Sequence, residues 1–531
     1  MRARTLLISQ WVIPLRWTAA ALTALVATAA GFAASPTRAT LGIPADDLSK
    51  RPAKELAGIY CGACHVQPDP SLLDRKTWET QTLPRMLVRV GLAPEVIEQN
   101  PESSYLKASG AFPTSPLMTQ EIWNRIERYY LDSAPTNAIP PDPKPEIRVG
   151  LKHFQRLPNR FRTEKASTCL VRILPGTHEI LVGDDFTQSV YALDATGTLK
   201  HTLPLQNNAV AAVPTKGGFL FAAIGSFQPA ETPKGEVCFV GRNGDQWEPK
   251  KRLLFPLPRT TDMLQVDLNR DGKPDLVLCK YGNISGAFSW YENLGGDRYE
   301  EHVLIPKSGA IRVVAQDFNH DGIVDLAVLL AQESESLYVL INDGKGQFTP
   351  QLIFQKHPLY GHTYFEVADF NKDGQPDFIV TNGDNGEYTS PLKRYHGIRI
   401  YLNRGQGKFE ESYFYPLNGA FKAVARDFDG DGDLDIAAIS FFPDYAQNPR
   451  ESFVYLENLG GMKFEASTFR ECITGRWLTL DAADLDGDGA EDLVLGSYIK
   501  GPSPVPRFLM ESWEANGPSV VVLKNTSKRA P

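Results

Sequence analysis

Residues 267–275 read DLNRDGKPD, and the same nine-residue frame returns as DFNHDGIVD at 317–325, DFNKDGQPD at 369–377, DFDGDGDLD at 427–435 and DLDGDGAED at 484–492. The copies are 50, 52, 58 and 57 residues apart, a period that fits a propeller blade better than a helix pair. Each runs into a β-rich apolar segment (DLVLC, DLAVLL, DFIVT, DIAAIS, DLVLGS) and then into another such as GIRIYLN or FVYLENL. Short apolar runs bounded by Gly and Asp read as strands, about four to each repeat. One period upstream, GGFLFAAIGSF near 217 and GTHEILVGDDF near 176 keep the strand pattern and lose the acids. Two degenerate and five full copies predict a closed, all-β seven-bladed propeller over 155–526. An eighth blade drawn from 145–165 would lack four strands.

The nine-residue loop places oxygen-bearing side chains at positions 1, 3, 5 and 9 and a glycine at position 6. The expected ligands are Asp267, Asn269, Asp271 and Asp275 in the first loop, and Asp317, Asn319, Asp321 and Asp325 in the second. Asp369, Asn371, Asp373 and Asp377 follow in the third, Asp427, Asp429, Asp431 and Asp435 in the fourth, and Asp484, Asp486, Asp488 and Asp492 in the fifth. Hard oxygen donors in this number suit Ca²⁺, and the flanking helices and twelfth-position glutamate of an EF-hand are missing. The loops resemble the FG-GAP calcium loops of integrin-type propellers. That resemblance implies about five structural Ca²⁺, each tying the first strand of a blade to the second. The rival reading is a set of solvated acidic turns without metal. The net charge of −8 is concentrated in these loops, so it does not describe the whole surface, and no basic stripe points to nucleic acid.

The N-terminus is a separate segment. Arg2, Arg4 and Arg16 precede WTAAALTALVATAAGFAA, with small residues near Gly31, Ala33 and Ala39. This is the pattern of a secretory signal over 1–34, which predicts an exported chain, periplasmic or at the cell surface. The run is also long enough to stay as a membrane anchor.

Behind it, residues 58–67 read GIYCGACHVQ. Cys61 and Cys64 at this spacing, with His65 next, suit two thioether bonds to a haem vinyl pair and a proximal iron ligand. A zinc site would need a second ligand pair, which the sequence lacks. A redox dithiol would open a helix after a strand, whereas AKELAGIYCGACH reads as a helix ending in the motif. Met86, Met118 and, beyond the linker, His153 are the sixth-ligand candidates. The segment from YCGACH through DRKTWETQTLPRM to EIWNRIERYYLDSAP resembles the small cytochrome c-like domains found in front of FG-GAP/VCBS repeat proteins. That resemblance favours Met86, with Met118 the alternative, and implies one covalent haem c in a small all-α domain at 45–134. SAPTNAIPPDPKPEI then forms a proline-rich linker at 135–150.

In a propeller the face opposite the acidic loops carries the remaining connections, and there the sequence has long insertions: NGDNGEYTSPLKRYH, FFPDYAQNPRE and YIKGPSPVPRFLMESWEANGPS in the fifth, sixth and seventh blades. Long loops on one face of a rigid scaffold are commonly functional. Five residues before the loop acids stand Asp262, Arg312, Tyr364, Lys422 and Thr479, preceded by His362, Arg476 and Trp477. All are expected at one funnel mouth, able to hold a sugar, a carboxylate or a phosphate, or merely to line a hydrated channel. Residues 361–498 also resemble a repeat-family stretch with TNGDN, LKxYHGIRIYLN, FFPDY and GRWLTLDAADLD, which adds Asp384, Asn385, Lys393, His396 and Asp444 as site candidates. Cys169, Cys238, Cys279 and Cys472 are expected as buried thiols.

Three functions fit these residues. The first is an exported c-type haem protein of electron transfer whose propeller docks a redox partner protein or a small ligand. The second is a periplasmic oxidoreductase, acting on a sugar, with its active site in the funnel and the haem as electron acceptor. The third is a carbohydrate-binding or adhesive propeller. No dinucleotide fingerprint is present, and the sequence leaves open whether the chain is an enzyme.

Overall fold

The computed structural model describes residues 35–44, 48–141, 143–244, 246–386 and 391–527. The leader expected at 1–34 lies outside the described residues. Among them, no helix is long and apolar enough to cross a membrane.

Seven antiparallel sheets follow one another along the chain. Blade 1 spans Thr168–Pro204, blade 2 Ala209–Leu257, blade 3 Thr260–Ile305, blade 4 Ala310–Gln355, blade 5 His362–Pro416, blade 6 Ala420–Thr468 and blade 7 Trp477–Asn525. The innermost strands touch in ring order, and that of blade 7 meets that of blade 1. The second strand of each blade is buried almost throughout, as in Asp275–Lys280, Asp325–Leu330 and Asp435–Ser440, because it is covered by neighbouring blades on both faces.

Ring closure uses the stretch that an eighth blade would have needed. Phe154–Arg156 pairs antiparallel with Val520–Asn525 as the outermost strand of blade 7, and Arg148–Val149 adds parallel to Phe464–Thr468 of blade 6. Phe154 is buried, with its ring 5.4 Å from Phe428 and 5.5 Å from Tyr455. Full burial of such a side chain stabilises by about 1.5–3 kcal/mol, so a three-residue strand suffices to lock the ends of the ring together.

The acidic loops turn as their glycines require. Position 6 has φ of 82° at Gly272, 79° at Gly322 and 80° at Gly374, the left-handed region where a Cβ is costly. The position-9 aspartates are buried, and each pins the loop to the rest of its blade. Asp325, for example, accepts from Phe318 N at 3.0 Å and from Asn342 N at 2.8 Å.

The N-terminal region is a set of short helices: Ala53–Cys61, Arg75–Thr77 continuing through a π-turn at Trp78–Thr82 into Leu83–Arg89, then Pro94–Glu98, Ser103–Ala108 and Gln120–Ser133. Pro84 accounts for the π-turn, since its ring lacks a donor and crowds the carbonyl four residues earlier. Thr119 Oγ1 caps the last helix by accepting from Ile122 N at 3.3 Å. The buried face of that helix, Ile122, Trp123, Ile126 and Tyr130, joins Leu56, Ala57 and Tyr60 of the first helix in one core.

Candidate functional site: a chamber between the helices and the propeller mouth

The helical region sits on the propeller face opposite the acidic loops. Arg89 pairs with Glu333 of blade 4 at 2.6 Å. The Glu102 carboxylate accepts from the backbone N–H groups of Glu231 and Thr232, in blade 2, at 3.0 and 2.8 Å. Leu359, on the connection between blades 4 and 5, packs against the helical core.

One cavity of about 1010 Å³ lies between them. Cys61, Cys64, His65, Met86 and Met118 line its helical side together with the rings of Tyr60, Trp78 and Trp123. On the propeller side its floor is a ring with one residue from every blade: Cys169, Val210, Thr261, Ile311, Thr363, Phe421 and Leu478. Each is the extra residue of a β-bulge near the start of an innermost strand, between Thr168 and Leu170, Ala209 and Ala211, Thr260 and Asp262, and so on round the ring. A bulge breaks the in-out alternation and re-aims a side chain. A count of alternating positions therefore misses this ring.

The residues after the bulges include several of the sequence candidates. Asp262 Oδ2 accepts from Arg312 Nη1 and from Val313 N, both at 3.0 Å. The Tyr364 ring receives two cations, with the Arg312 guanidinium 5.0 Å and the Lys422 ammonium 4.6 Å from its centroid, a cation–π arrangement. Burial pulls Lys422 down to about 8, and the charge of Asp481 opposes this. Thr479, Asp384 and Lys393 also line the cavity.

His362 lines it too. Its Nδ1 lies 2.7 Å from Glu335 Oε2, both side chains are buried, and Nε2 has no hydrogen-bond partner among the described residues. Burial pushes the Glu335 carboxyl well up and the His362 imidazole well down. Glu335 was not visible as a site residue in sequence. Its structural mark is backbone strain, since Gln332 and Glu335 take φ of 62° and 37° in one short turn, and non-glycine residues held there cluster at functional sites.

Other candidates lie elsewhere. Trp477 is not at the mouth: it is buried in the core shared by blades 6 and 7, donating from Nε1 to Cys472 O at 2.7 Å. Arg476 is folded inward, donating to Phe441 O and Pro502 O and lying 4.0 Å over the Phe441 ring. His396 and Asn385 are buried and do not line the cavity. Asp444 accepts from Gln447 N at 3.1 Å within its own turn. His153 stands at the ring closure, before Phe154.

The thiols and imidazole of the Cys61–His65 motif form a donor set that fits a covalent haem. Both cysteines are free thiols. Burial pushes Cys61 up to about 12 and raises Cys64 as well, unlike the low-pKa thiolate of a reactive dithiol. His65 Nδ1 lies 3.0 Å from Val66 O. Donation there leaves Nε2 with its lone pair for a metal, the usual arrangement of a ligating imidazole. Cys169, Cys238, Cys279 and Cys472 are buried free thiols.

A family model described as an FG-GAP-like repeat matches residues 267–328, 317–380 and 386–438. No curated protein matches the chain in sequence. Among solved structures it is similar to BBS1N in complex with ARL6DN, at 12% identity and a TM-score of 0.44, covering 72% of this chain and 98% of that one. It is also similar to the N-terminal domain of Nup159, at 10% and 0.38, covering 72% and 97%, and to Saccharomyces cerevisiae Sqt1, at 10% and 0.42, covering 70% and 100%. The chain carries FG-GAP-like repeats folded as a seven-bladed β-propeller.

Proposed function

We propose that the chain is an exported c-type haem protein of electron transfer whose propeller holds a small ligand in the chamber facing the haem. The observation that carries this reading is the continuity of one cavity from Cys61, Cys64 and His65 to the bulge ring of all seven blades. The two cysteines would anchor the haem and His65 would bind its iron, with Met86 as the sixth ligand and Met118 the alternative. Bound there, haem c supplies one-electron exchange, with a potential raised by methionine ligation.

The chain's own residues do the rest. Tyr60, Trp78 and Trp123 keep water from the helical side, and Arg89 and Glu102 hold that side over the mouth. The mouth is covered by the chain's own helices, which favours a small molecule inside the chamber and leaves a redox partner protein to approach from outside. His362, which lines the cavity, offers a ligand its Nε2, which has no hydrogen-bond partner among the described residues; a buried unsatisfied nitrogen costs about 1–3 kcal/mol. A carbohydrate hydroxyl or an anionic group would supply its partner. Calcium in the five acidic loops would brace the scaffold. The continuity of the cavity also favours a second reading, in which the ligand is a substrate that reduces the haem.

The full chain produced with haem-maturation machinery should carry covalent haem, absent from Cys61→Ala/Cys64→Ala. A haem-free wild type would sink the proposal. In the loaded protein, Met86→Ala should abolish the absorption band of methionine-ligated ferric haem while Met118→Ala keeps it. Reduction of the haem by sugars or small organic acids without a second protein, slowed in His362→Gln, would establish the substrate reading. Reduction by a partner protein alone would establish the carrier.

A further inference from the structure

His153 precedes the strand Phe154–Arg156 that closes the ring. Its carbonyl accepts from Thr526 N at 2.7 Å, and its Nδ1 lies 3.1 Å from the Ser527 hydroxyl. Its Nε2 is buried and has no hydrogen-bond partner among the described residues. A ring nitrogen of His153 and one carboxylate oxygen each of Asp429 and Glu457 lie within 4.8 Å of one another. Asp429 belongs to the acidic loop of blade 6, and Glu457 to its third strand, Phe453–Asn458.

We propose that His153, Asp429 and Glu457 bind a divalent transition-metal ion of the zinc class, which staples the closing strand to blade 6. One imidazole nitrogen with two carboxylate oxygens, completed by water, is a zinc donor set, whereas Ca²⁺ takes oxygen ligands. A ligating imidazole is typically oriented by a hydrogen bond at its other nitrogen, the role Ser527 fills here. Lys152 Nζ, on an exposed and flexible side chain, holds both oxygens of the largely buried Glu457 at 2.9 Å, so a dication would displace a lysine that is free to swing into solvent. Asp429, third in its acidic loop, has a second oxygen left for a cation within that loop, so the two ions can share it. The site depends neither on the haem nor on calcium binding.

The test uses the full chain, stripped with chelator and dialysed into millimolar Ca²⁺, then titrated with Zn²⁺ against a chromophoric zinc indicator. Wild type and a His201→Ala control should each take up about one more equivalent at micromolar zinc than His153→Ala or His153→Gln. Zinc should raise the melting temperature of wild type and of neither His153 variant, since binding to the folded state alone stabilises it. Equal uptake by all four proteins, an adventitious ion only, overturns the proposal, and so does no uptake by wild type. Loss of a calcium equivalent together with the zinc in His153→Gln would also overturn it, because the histidine would then belong to the calcium loop.

Discussion

In blade 1 the second strand opens with Glu179, and in blades 3 to 7 it opens with Asp275, Asp325, Asp377, Asp435 and Asp492; all six carboxylates are buried. Glu179 is met by protein cations, with Arg242 Nη1 at 2.6 Å and Lys200 Nζ at 2.8 Å. Against the desolvation that burial imposes, those partners hold its carboxyl down at about 2. Burial, reinforced by neighbouring loop acids, instead pushes Asp435 up to about 7 and Asp492 up to about 6. Among the described residues no side-chain cation pairs with either. A buried carboxylate is tolerated only when compensated. Blade 1, whose loop PGTH has no acids, takes its compensation from the chain. Blades 3 to 7 gather more acids at the same place, and under the proposed calcium reading they take theirs from solution.

Chelation gives the largest test of this difference. Removing Ca²⁺ should lower the melting temperature sharply, because each site adds about 2.7 kcal/mol at a free ion concentration a hundredfold above its Kd. A calorimetric scan unchanged by chelator would break the comparison. Arg242→Met should cost less than the roughly 3–5 kcal/mol of a fully stranded buried charge, because Lys200 stays 2.8 Å from Glu179, and the cost should be the same with or without calcium in denaturant titrations. A cost that depended on calcium would show that blade 1 is not autonomous. Asp492→Asn sharpens the other side: roughly 1–3 kcal/mol lost in calcium, and a smaller loss in chelator, where only the hydrogen bonds accepted from Leu485 N and Asn525 N are at stake.

Acid provides the smallest effect. The carboxyl of Glu179 is depressed in the fold, so its contribution is fully present above the ordinary glutamate value near 4.5 and is lost as pH falls from there towards about 2. Glu179→Gln should flatten that window in acid unfolding curves, and a curve superimposable on wild type would discount the ion pair.

The repeat frame was legible because acidic loops and strands are local: nine residues and their spacing suffice for five blades, and hydrophobic alternation supplies the other two. Cys61, Cys64 and His65 stand close in sequence, and the structure sets all three on one cavity wall. Glu335 was not legible, since its importance comes from a histidine twenty-seven residues away and from strain that leaves no compositional trace. Trp477 looked like a mouth residue by its position in the repeat, yet its large apolar ring is drawn between two blades, where burying aromatic surface outweighs exposure at the rim.

The sequence by itself determined the number of blades and the face that carries the acids, both readable from periodicity and short motifs. Tertiary structure alone decided that the helical region covers the propeller mouth, that seven bulged residues form the floor beneath it, and that Phe154–Arg156 closes the ring. Each of these depends on contacts between segments far apart in the chain or on a one-residue slip within a ladder. Such features arise when packing, rather than local propensity, selects among conformations of similar intrinsic cost.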